Sequence, residues 1–183
     1  SAAATSVGLS FGMGWSVRLS VPGRERPAQM RNPSQYAVTP GYFEVLGIRL
    51  LAGRVFTDAD RRVTAPVAVV NETAARTFWG SDSPIGQCVK VGADSMPCTT
   101  VVGVVSNARR QQIIEEPVSQ IYRPLDQLSP SVTDNSVSFF GYTFIARTTR
   151  GPATVVEPVR RVVTPAMAAK LREFLRGAVG EGG

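Results

Sequence analysis

An α+β fold, richer in short strands than in helices, is what this sequence predicts. Three features carry the expectation: a Val-rich run between Pro66 and Asn71 that leads directly into a helical pattern, two alternating runs around Cys88 and Cys98 joined by a polar turn, and recurrent strand-length segments that stop at Pro or Gly. With 183 residues, 43% hydrophobic and 19% charged, the chain is long enough to bury a core and too ordinary in composition to be disordered throughout.

Small side chains open the sequence. Trp15, Val17, Leu19 and Val21 then alternate as an edge-type strand ended by Pro22-Gly23, and Gln35 to Thr39 form a short strand stopped by Pro40. Pro40 and Gly41 open a short helix reaching Ile48: Pro at the first helical position loses only a donor that had no partner, and Gly47 ends the helix. After Leu50 to Phe56, the polar stretch from Thr57 to Thr64 reads as a turn. Its Asp58 and Asp60 lack the glycine and the distal Glu of a calcium loop and are read as turn residues.

Pro66 to Asn71 is a buried strand, and Asn71 caps a helix in which Ala74, Ala75, Phe78 and Trp79 share a face. Packing is the reading for Phe78 and Trp79, and Glu72 suits the helix dipole. Next comes the cysteine hairpin. A turn centred on Ala93 puts Cys88 directly opposite Cys98 with Cβ atoms about 4.5 to 5.5 Å apart, close to what a disulfide needs. The bridge is favoured over two buried free thiols, and with it an oxidising, extracytoplasmic compartment.

A polar connection leads to a strand from Ser119, stopped at Pro124, and a Ser-, Pro- and Asp-rich loop follows. Tyr142 to Thr148 alternate as a last strand. Gly151-Pro152 introduces a helix from Ala153 to Val163, with Pro158 imposing a kink or a later start. In the tail, Met167, Leu171, Phe174, Leu175 and Val179 fall on one helical face, expected to pack on the chain's own domain rather than lie on a membrane surface.

Several functions lack their chemistry. The formal charge is +6, but the basic residues are dispersed as Arg24, Arg26 and Arg31, Arg61-Arg62, Arg109-Arg110 and Arg160-Arg161, which fits a solvated face and no nucleic-acid partner. The absence of histidine removes every Ser-His or Cys-His arrangement, and two cysteines cannot complete a zinc site. Neither GxxxxGK[ST] nor GxGxxG occurs, so no enzyme activity, cofactor or metal is expected. No apolar run approaches the ~18 to 20 residues of a membrane span, and no signal-peptide pattern is present. The abrupt start reads as a piece of something longer.

The succession "YAVTPGYFEVLGIRLLAGRVFTDAD", "PVAVVNETAARTFWG", "SPIGQCVKVG", "TVVGVVSNAR" and "EEPVSQIYRPL" resembles the MacB-like periplasmic core domain of FtsX-type ABC transporter permeases, and looks closest to the duplicated orphan permeases of soil bacteria. Five blocks in family order, spanning Gln35 to Leu125, make the resemblance specific. It implies a two-lobed domain between the first two transmembrane helices: a porter-like βαβ lobe (1–60 and 126–164), an inserted strand-rich, sabre-like lobe (61–125), and an amphipathic tail (165–183). The first porter strand would lie upstream of Ser1, and the tail departs from the family pattern.

The function so implied is that of a periplasmic, non-catalytic domain coupling cytoplasmic ATP hydrolysis to export or mechanotransmission. Its partners would be the rest of the permease, a cytoplasmic ABC ATPase, and a second periplasmic domain or envelope partner. The alternative is a ligand- or peptide-binding module using the cleft between lobes. Gly53 and Arg54 mark the expected lobe junction, Arg109 and Arg110 an expected partner surface, with Arg18 and Arg24 as further candidates.

Overall fold

The computed structural model describes residues 3–7, 15–26, 30–61, 63–108, 116–128 and 142–146. The strands among them are β1 (Ala3–Val7), β2 (Trp15–Ser16), β3 (Leu19–Ser20), β4 (Ser34–Val38), β5 (Leu50–Gly53), β6 (Val67–Asn71), β7 (Cys88–Val91), β8 (Thr99–Val105), β9 (Gln120–Pro124) and β10 (Tyr142–Ala146). Two helices, α1 (Tyr42–Leu46) and α2 (Glu72–Trp79), accompany them. All ten strands join one sheet in the order β10-β1-β4-β9-β6-β8-β7-β3, with β2 beside β4 and β5 beside β8. The sheet is mixed: β4–β9 and β6–β8 are parallel and the other pairs antiparallel. A mixed sheet with few helices is the α+β class the sequence predicts.

β6 is the centre of the molecule. Every residue of it is buried, as a Val-rich strand covered on both faces should be. Val67 and Val69 point into one core with Tyr36, Val38, Tyr42, Phe43, Val45, Phe56, Val105 and Tyr122, while Ala68 and Val70 point into another with Leu19, Ala74, Phe78, Trp79, Val89, Val101 and Ile121. The period of two along the strand separates the cores. A bulge in the β6–β8 register, between Ala68 and Val69, puts Val101 and Val104 on one face and Val105 on the other.

Both cores draw on residues before and after position 60, where the sequence sets a lobe boundary. The parallel β4–β9 pairing, Ser34↔Gln120 to Val38↔Pro124, ties the two segments along five residue pairs. By contrast, β1 and β4 are joined by two pairs, Ser6↔Val38 and Val7↔Ala37.

Four local expectations change. The single strand from Trp15 to Val21 is two short ones, β2 pairing with β4 and β3 with β7, because the chain passes from one strand edge to another while still burying Leu19 and Val21. Pro40 is not the first helical residue: Gly41, at φ 87°, caps α1, which starts at Tyr42. The hairpin register pairs Cys88 with Thr100 and Val89 with Thr99, so Cys98 precedes β8 instead of facing Cys88. Ala3–Val7, whose small residues show no strand pattern, forms β1 between β4 and β10. The helix expected over 153–163, the tail 165–183, Arg109 and Arg110 lie outside the described residues.

Candidate functional site

An amide network sits at the head of α2. Asn71 ends β6 and caps the helix: its Oδ1 accepts from Ala74 N–H and Gln120 N–H, both at 2.9 Å. Its Nδ2 donates to Asn107 Oδ1 and the Val118 carbonyl, both at 2.8 Å, and to Gln120 Oε1 at 3.2 Å. Asn107 Oδ1 also accepts from Thr73 N–H at 3.1 Å and Thr73 Oγ1–H at 3.0 Å. One buried residue thus bonds helix start, β9 and the segment after β8, and its buried bonds to Ala74 and Gln120 are strengthened by the dry surroundings.

Beside this network stands an aromatic wall. Tyr36 of β4 and Tyr122 of β9 face each other in parallel register and stack with ring centroids 5.4 Å apart. Phe43 meets Tyr122 edge-on at 5.0 Å, and Tyr42 lies 6.0 Å from Tyr122. Tyr122 Oη–H donates to Gln120 Oε1 at 3.0 Å. Burial, helped by the neighbouring tyrosines, pushes the phenols of Tyr42 and Tyr122 well above their ordinary range. Between the wall, the end of α1 and residues 106–108 lies a cavity of about 360 Å³. No member of this constellation is a sequence-derived site residue. Strand parity alone says which side of β4 Tyr36 takes; nothing in one sequence says that β9 lies next to it.

Gly53 and Arg54 stand at the end of β5. Gly53 pairs with Gly103, and each is required by the other strand's backbone: a Cβ on Gly53 would lie 2.2 Å from the Val102 carbonyl oxygen, and one on Gly103 2.1 Å from that of Arg54. Arg54 then closes its own loop. Its Nη1 and Nη2 donate to Asp60 Oδ2 at 2.7 Å and Oδ1 at 2.9 Å, a bidentate pair. Thr57 N–H adds a bond to Oδ2 at 2.8 Å. The Arg54 guanidinium holds the Asp60 carboxyl below the usual range, opposed by burial and assisted by Thr57.

Cys88 and Cys98 are bonded, with Cα atoms 5.3 Å apart. The offset register brings them together because Cys98 reaches back from the turn. Arg18 pairs with Asp94 across that turn, and Arg24 binds Asp82 and the Trp79 carbonyl, so both are engaged within the fold. Among the described residues, no three His, Cys, Asp or Glu side chains converge as metal ligands, and no helix is long and apolar enough to cross a membrane.

Comparison with known proteins gives one consistent picture. Among curated proteins, 92 residues are 40% identical to the probable syringafactin export ATP-binding/permease protein of Pseudomonas syringae pv. tomato, covering 48% of this chain and 13% of that protein. A 66-residue stretch is 41% identical to the macrolide export ATP-binding/permease protein MacB 1 of Aeromonas hydrophila, covering 36% of this chain and 10% of that one. The chain therefore spans a small part of these relatives.

Among solved structures, the fold matches the periplasmic region of MacB from Actinobacillus actinomycetemcomitans with TM-score 0.60 at 20% identity, over 90% of this chain and 66% of that one. It also matches the extracellular domain of the noncanonic ABC-type transporter YknZ from Gram-positive bacteria with TM-score 0.54 at 18% identity, over 83% of this chain and 67% of that one. The family described as MacB-like periplasmic core domain matches residues 5–173. The chain belongs to that family, the extracytoplasmic domain of ABC transporter permeases.

Proposed function

We propose that this domain is the periplasmic, non-catalytic part of a MacB/FtsX-like permease, coupling cytoplasmic ATP hydrolysis to export or mechanical work in the envelope. The family match over 5–173 carries the reading, and the disulfide suits an oxidising compartment. The partners are the permease's own transmembrane helices, an ABC ATPase acting through them, and a second periplasmic domain or envelope partner. The domain supplies surfaces and a stiff sheet, and the chemistry belongs to the ATPase.

The test uses the full-length permease with its ATPase in proteoliposomes, with this domain replaced by a Gly/Ser linker of matching span. The expected outcome is continued ATP hydrolysis with loss of transport. Transport that survives the replacement would remove the coupling role, and loss of both activities would make the domain part of the ATPase cycle itself.

A further inference from the structure

Two residues that line the cavity beside the tyrosine wall carry hydrogen-bond donors without a partner among the described residues. Tyr42 is 4% exposed, lines the cavity, and its hydroxyl has no partner among the described residues. Asn107 also lines it. Three donors converge on Asn107 Oδ1, from Asn71 Nδ2, Thr73 N–H and Thr73 Oγ1–H, which fixes the orientation of the carboxamide. Its Nδ2 hydrogens are then left without a partner among the described residues. Neither atom is sealed in the core, so both donors are open to a molecule in the cavity.

The remaining lining selects what the occupant can be. Tyr36, Tyr122, Leu46 and Ile48 give an aromatic and aliphatic surround, Ser106 and Gln120 add neutral polar groups, and among the described residues no Lys or Arg lines the space. A carboxylate or phosphate would lose its hydration with no cation among these lining residues to offset the cost. A neutral carbonyl would not: it accepts from one or both donors and leaves its apolar body against the rings. The volume, about 360 Å³, suits a small molecule.

We propose that this cavity is a binding site for a small neutral molecule with an apolar body and a carbonyl group, held by Tyr42 Oη–H and Asn107 Nδ2–H. The site lies within one face of the sheet and does not depend on the coupling role proposed above.

The experiment titrates the 183-residue chain with acetophenone, and with toluene as the carbonyl-free control, following backbone amide shifts by NMR. For about nine non-hydrogen atoms, a roughly millimolar Kd is expected. Saturable shifts should centre on Tyr42–Ile48 and Ser106–Ala108. Tyr42→Phe should weaken acetophenone roughly 5-fold, the worth of one neutral hydrogen bond, while leaving toluene unaffected. The same variant should melt where the wild type does, since its hydroxyl has no partner to lose. Absence of saturable shifts at these residues, equal acetophenone affinity in Tyr42→Phe, or a clear fall in its melting temperature would each overturn the proposal. The last result would show that the hydroxyl is already engaged inside the fold.

Discussion

Asp60 shows how one side chain decides a loop. It is 8% exposed and meets Arg54 in a bidentate pair, with Thr57 behind it. Because its folded pKa is lowered, its contribution is complete above the unfolded value near 4 and is lost as pH falls through the folded one. Asp60→Asn should cost about 1 to 2 kcal/mol at neutral pH and flatten the acid limb of a stability–pH curve. Arg54→Ala should cost at least as much, because it leaves a buried carboxylate without its cation. Combining the two should cost less than their sum, which a double-mutant cycle by urea denaturation measures. Gln35 presents the opposite case. Its Oε1 is buried without a partner, on the same sheet face as Arg123, whose Nε is likewise unpartnered. Gln35→Met should therefore be neutral or raise stability by up to about 1 kcal/mol.

Among elements, β5 and β8 are held by a contact that only glycine permits. Gly103→Ala drives a methyl into the Arg54 carbonyl at 2.1 Å, and should cost several kcal/mol, on the order of 3 or more, through forced backbone movement. Asn71→Ala should cost about 2 to 3 kcal/mol, more than an ordinary cap, since it also orphans Gln120 N–H; thermal denaturation reads both. Much of this level was legible from residues alone. The Val67 to Val70 run, the Asn71 cap and Gly47 as a left-handed terminator at φ 69° follow from local rules. What escaped was non-local. Ala3–Val7 is a strand because β10 and β4 flank it, and Leu50–Gly53 because β8 offers an edge; neither segment alternates convincingly. The hairpin register missed by two positions for a related reason: the turn from Gly92 to Cys98 is longer than a tight hairpin, and Cys98 lies in it.

For the whole molecule, the disulfide constrains a short loop, with Cys88 and Cys98 separated by 10 positions. Replacing both by Ser should lower unfolding free energy by about 2 to 3 kcal/mol on the chain-entropy account, with the sheet retained by circular dichroism. Collapse of the sheet would show that the hairpin anchors more than its own turn. The candidate site was the least legible feature, because Tyr36, Tyr42 and Tyr122 come from three elements, and the β4–β9 pairing that puts Tyr36 beside Tyr122 is non-local. Resemblance of sequence blocks identified the family but could not put these rings side by side.

The β1–β10 ladder sets how this sheet would respond to a pull. Ala3 pairs with Ala146 and Val7 with Tyr142, so the chain enters β1 and leaves β10 at the same end of the ladder. Tension applied between those two exits runs across the strands rather than along them. The ladder would then open like a zipper, one rung at a time, and not resist as a sheared block. A pull that separates those two exits would therefore part the strands at low force.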